Sequence, residues 1–78
     1  MDDQVNRAAA VSRVASWTAD ELDVLRAVAQ GLPASVVAEQ RLCTLAEVGA
    51  LLASARAKAD VTSTRDAVAL AREAGLIG

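Results

Sequence analysis

The chain is 78 residues long, 54% hydrophobic and formally −2 in net charge, with 8 basic and 10 acidic residues. That length allows one domain, near the size where a single apolar core only just suffices, and alanine, which buries little area, makes up much of the apolar fraction. The acidic balance runs against the basic footprint of nucleic-acid binders, a single cysteine rules out an internal disulfide, and no apolar run approaches the roughly 20 residues of a membrane span.

Met1-Asp2-Asp3 carries the wrong charge for a signal peptide, so a reduced, cytoplasmic setting is expected. Segment 1–16 reads as an N-terminal extension with a helical outline. Asp2 or Asp3 can cap it, and Val5, Ala8, Val11 and Ala15 make a thin apolar stripe. From Trp17 to the C-terminus, residues 17–78, the helix punctuation sharpens. Thr18-Ala19-Asp20-Glu21 fits a capping box, with Trp17 and Leu22 at the spacing of a hydrophobic staple. Leu22, Leu25, Val28 and Ala29 then predict the buried stripe of a helix over about 19–30, stopped by Gly31 and Pro33.

A short helix over about 33–40 follows, with Pro33 tolerated in its first turn and Val36, Val37 and Ala38 as its apolar side. The chain turns through Arg41-Leu42-Cys43. Thr44-Leu45-Ala46-Glu47 is a second capping box, and Cys43 with Val48 repeats the staple spacing. It opens a helix over about 45–59 whose inward face is Val48, Leu52, Ala55 and Ala59. Beyond the loop 60–64, which holds several candidate caps, a last helix over about 65–74 closes on Gly75 and leaves Leu76-Ile77 as an apolar tail. No stretch alternates with period two long enough for a strand, so the expected class is all-α.

Parts for catalysis are missing. There is no histidine, no second cysteine for metal ligation, no glycine-rich phosphate loop and no serine beside a candidate base. Asp20, Glu21 and Asp23 stand at a helix start, where carboxylates favour the macrodipole. Cys43 reads as a small core hydrophobe and Trp17 as a core anchor. No enzyme activity, metal, cofactor, small-molecule substrate or membrane contact is expected.

A helix ended by glycine, a short helix, a tight turn and a longer helix describe a helix-turn-helix. The residues Trp17-Thr18-Ala19-Asp20-Glu21-Leu22-Asp23-Val24-Leu25-Arg26-Ala27-Val28-Ala29-Gln30-Gly31-Leu32 resemble the opening of the LuxR-type DNA-binding domain. Val37-Ala38-Glu39 is similar to that family's short second helix. Val61 and the run from Arg65 through Ala74 to Gly75-Leu76-Ile77 are similar to its closing helix. The resemblance covers residues 17–77 and implies a LuxR-like four-helix bundle behind an N-terminal helical extension. It further implies a bacterial transcription regulator whose third helix enters the major groove. Its last helix would dimerise, which puts Ala69, Leu70, Glu73, Leu76 and Ile77 at a homodimer interface.

The departure lies on the helix that would read DNA. Where the family usually carries Thr-Val-Lys, a polar residue and often His, this chain has Glu47, Val48, Gly49, Ala50 and Leu51. Base readout needs side chains that donate or accept in the major groove, and each missing bidentate contact forfeits about 1–3 kcal/mol of discrimination. Gly49, Ala50 and Ala53 offer only van der Waals contact. A mid-helix Gly such as Gly49 costs about 1 kcal/mol relative to Ala, which fits either an unconstrained surface or close approach by another helix. Leu45 and Leu51 flank this strip and would extend an apolar patch if exposed, with Leu51 the one expected to tuck inward.

Two functions follow. In the first, a regulatory module has exchanged base recognition for protein contact through Leu45, Gly49, Ala50 and Ala53, with a protein partner or a second copy. In the alternative, a DNA-binding regulator docks mainly on phosphates through Arg41, Arg56, Lys58 and Arg65, which need charge and not reading geometry.

Overall fold

Each helix of the chain starts and stops where local chemistry dictates. The computed structural model describes the backbone of residues 3–77 and the side chains of residues 8–77. Among these it holds α1 (Asp3–Arg13), α2 (Ala19–Ala29), α3 (Ala34–Arg41), α4 (Leu45–Ala59) and α5 (Thr64–Glu73), and no strand. The expected cap at Asp2 or Asp3, and the Val5 position of the thin stripe, lie outside the described side chains.

Hydroxyl side chains cap three helices: Thr18, Thr44 and Ser63 accept from the N–H groups of Glu21, Glu47 and Asp66. At α2 the box is complete, since the Thr18 N–H donates to Glu21 Oε1 at 2.7 Å. At α4 it is only half made. Among the described residues the Glu47 carboxylate returns no bond to Thr44, so the second expected box is a simple cap.

Four helices stop in the same way. A residue with positive φ (Gly31 at 89°, Leu42 at 56°, Asp60 at 56°, Gly75 at 79°) reverses the chain after α2, α3, α4 and α5. The next N–H then donates to a carbonyl five residues back: Leu32 to Ala27 at 3.2 Å, and Cys43 to Ala38, Val61 to Arg56 and Leu76 to Ala71 each at 3.0 Å. This is the Schellman arrangement, which satisfies carbonyls that the helix leaves open.

Helices α2, α4 and α5 pack pairwise, α3 closes over α2 and α4, and α1 lies on α5. Leu25, Ala55, Ala67 and Val68 fill the centre where α2, α4 and α5 meet. Val24, Val37, Ala38 and Val48 form a second cluster under α3, with Cys43, Leu51 and Leu52 packed against it. Ala10 and Val14 join Ala59, Leu70 and Ala74 in a third. The expected inward face of α4 is therefore in place, and Leu51 turns inward as well. In α2 the buried face is broader than the predicted stripe, because the helix is covered by α3 and α4 on one side and α5 on another. Val24 and Glu21 are buried along with Leu25.

The N-terminal stripe is corrected. Ala10 and Val14 face the bundle, while Ala8, Val11 and Ala15 are exposed, Val11 at 46%. Only the Ala10–Val14 line, four residues apart on one face, meets Leu70 and Ala74. Arg13 locks that docking: its Nη2 donates to the Ala59 carbonyl at 2.7 Å, at the negative end of α4 where a cation is favoured.

Candidate interaction surface

The turn between α3 and α4 sets the candidate site. Leu42, Cys43 and Thr44 separate the two helices, the short connection of a helix-turn-helix. Cys43 points into the second cluster and Thr44 caps α4. Leu42 points outward, 93% exposed. From there the solvent side of α4 presents Leu45, 57% exposed, followed by exposed Gly49, Ala50 and Ala53. Leu45, Gly49 and Ala53 repeat every four residues and so share one face, a strip about 12 Å long at the α-helical rise. A Cβ built at Gly49 meets nothing within 4 Å, so no part of this chain approaches the strip there.

Beside the strip lies a groove of about 610 Å³ between the start of α2 and the middle of α4, floored by Ala50, Leu51 and Ser54. Its walls carry Glu21 with Lys58 and Asp20 with Arg41. Lys58 Nζ donates to Glu21 Oε1 at 2.8 Å, and the Glu21 side chain is only 3% exposed. Burial pushes the Glu21 pKa up. Hydrogen bonds from Lys58, Ser54 and the Thr18 N–H, with the Lys58 charge, outweigh that and hold it down to about 2. Arg41 Nη2 donates to Asp20 at 2.9 Å and stands 3.8 Å from Asp23. The Asp20 bond raises the guanidinium pKa above its ordinary value.

The four basic residues predicted as a phosphate rim are thus split and largely engaged. Arg41 and Lys58 face carboxylates in the groove. Arg56 Nη1 donates to the Thr64 hydroxyl at 2.9 Å, and Arg65 is exposed on α5. The predicted dimer set is divided too. Ala69 and Glu73 are exposed, Leu76 and Ile77 are half-buried, and Leu70, 5% exposed, is covered by α1 and is not offered to a second copy. Leu45, Gly49, Ala50 and Ala53 are the one predicted set that forms a contiguous surface.

Sequence reasoning missed the Glu21–Lys58 pair and the outward Leu42. The capping pattern accounted for Glu21 without any buried partner, and nothing in the sequence marks Leu42 as exposed. Among the described residues no cluster of His, Cys, Asp and Glu could hold a metal ion, and no helix is long and apolar enough to cross a membrane. No protein-family model matches the chain, and no curated protein or solved structure matches it either.

Proposed function

We propose that this chain is a small regulatory module of helix-turn-helix type that makes contact with protein through the solvent face of α4 in place of reading DNA. The observation that carries the reading is the run from Leu42 to Ala53. Two exposed leucines lead into Gly49, Ala50 and Ala53, and none of these five side chains can donate or accept in a groove. An exposed leucine in a left-handed backbone conformation gains nothing inside the monomer, so Leu42 fits a residue kept for an external contact.

Phosphate docking is the weaker reading. Moving Arg41 or Lys58 to a phosphate would strip Asp20 or the buried Glu21 of its partner, and an unpaired buried carboxylate costs several kcal/mol. The proposed setting is transcription regulation, as the resemblance of residues 17–77 implies, inside the cytoplasm and without catalysis.

Titration against random and genomic duplexes at low salt tests the reading. Weak binding with no preference among sequences is expected. Submicromolar affinity for one sequence with strong discrimination would reject it.

A further inference from the structure

A second surface carries a different chemistry. Between α2 and α5 runs a groove in two depressions of about 390 and 350 Å³, which share Ala29 and Arg72 and therefore form one channel. Its floor is apolar: Val28 and Ala29 from α2, Val68 and Ala69 from α5, then Leu76 and Ile77 at the far end. Its charged lining is entirely cationic. Arg65 and Arg72 stand seven residues apart on one face of α5, Arg26 faces them from α2, and no carboxylate lines either depression. The groove by the Glu21–Lys58 pair, in contrast, mixes Asp20, Glu21 and Glu47 with Arg41 and Lys58. On a chain of net charge −2, a channel lined by three arginines and no acid is a local concentration of one sign.

These arginines are available. Arg65 makes no ion pair among the described residues. Arg26 holds Asp23 at 3.3 Å with both side chains about half exposed, a surface pair that a new carboxylate displaces at little cost.

Charge and shape together select the occupant. A second copy docked groove to groove about a two-fold axis would set arginine against arginine. Duplex phosphates would match the rim but leave the apolar floor unused. An amphipathic helix with a leucine-type stripe and flanking carboxylates matches both: the stripe fills the floor and the carboxylates meet the rim. Helix α5, ten residues long, supports about 15 Å of such contact, close to three turns. We propose that the α2–α5 groove docks an acidic amphipathic helix of a partner protein, at a surface separate from the α4 strip.

The test is fluorescence anisotropy of the full chain with a labelled synthetic helix bearing a leucine stripe flanked by glutamates. Two controls accompany it: a scrambled peptide of the same charge and a random DNA duplex. Expected are a saturable isotherm in the micromolar range, at least tenfold weaker binding of the scrambled peptide, and a tenfold loss with Arg65→Glu and with Ala69→Asp. Circular dichroism establishes that both variants keep their helix content. Leu45→Glu on the α4 strip should leave peptide affinity unchanged, which separates this proposal from the reading of that strip. Equal affinity for the scrambled peptide, no effect of Arg65→Glu, or displacement of the peptide by the duplex at lower concentration would overturn it. So would a dimer in light scattering that Ala69→Asp dissociates.

Discussion

The Lys58 ammonium lies 2.8 Å from the Glu21 carboxylate, 37 residues away in the chain, and ties the end of α4 to the first turn of α2. Glu21 also accepts from the Thr18 N–H, so one buried carboxylate serves a helix cap and an interhelical ion pair at once. Its pKa is held at about 2 against an ordinary 4.5. The folded state therefore binds this proton less readily than the unfolded chain does. The stabilisation is complete above about pH 4.5 and is lost as the pH falls toward 2. Urea unfolding across that window should lose roughly 3 kcal/mol through this group, from about 1.4 kcal/mol per pKa unit. Glu21→Gln should remove that part of the slope. An unchanged pH profile in the variant would mean the carboxylate is not held this way.

Removing the cation should be worse than removing both charges. Lys58→Met leaves a buried carboxylate with its desolvation penalty and no ammonium, an effect on the order of 3 kcal/mol. Because Lys58 is about a third exposed, water can relieve part of that. The double variant Glu21→Gln/Lys58→Met should recover a measurable share of the loss in chemical denaturation. Strict additivity of the two single changes would show that the residues do not interact.

Helix ends show how far the sequence could be read. Gly31 and Gly75 announce the stops of α2 and α5, since glycine enters the left-handed region without a steric penalty. Leu42 and Asp60 perform the same reversal after α3 and α4 and carry no such mark. The expected α4 boundaries nevertheless coincide with the observed ones, because Thr44 and the apolar periodicity define them. Helix α5 begins one residue earlier than expected, since Ser63 is the cap among several hydroxyl candidates. The strip Leu45, Gly49, Ala50, Ala53 was legible because residue type alone shows that it lacks donors. The Glu21–Lys58 pair was not, because pairing across 37 residues depends on how α2 and α4 cross.

Leu42 sits at φ 56°, where a side chain with a Cβ is strained by roughly 1–2 kcal/mol, and at 93% exposure it has almost no packing to lose. Leu42→Gly should raise stability by about 1 kcal/mol, less the extra freedom that glycine gives the unfolded chain. Thermal melts of the two proteins measure this. A fall in melting temperature would mean that Leu42 is packed in solution, for example in a self-associated form.

Trp17 links the clusters: its ring packs against two of them, and its Nε1–H donates to the Ala55 carbonyl at 2.8 Å. Trp17→Phe keeps most of the buried area and loses the donor, so a cost of about 1 kcal/mol is expected. Trp17→Ala should cost about 3–5 kcal/mol through the cavity it opens. Circular dichroism in denaturant compares both variants with the parent. Equal losses in the two would show that the indole's hydrogen bond, and not its bulk, is what matters.

Gly49 gives the clearest test of whether the α4 strip is bare. It lies within a helix, and a Cβ there meets open space. Alanine should then stabilise the monomer by about 1 kcal/mol through backbone entropy alone. Gly49→Leu should also be tolerated, because the strip has room for it. If Gly49→Ala instead lowers the unfolding midpoint, and the loss deepens at higher protein concentration, another copy already occupies the strip in solution. If both variants are as stable as expected, the monomer has no use for glycine at this position, and its smallness serves only what docks from outside.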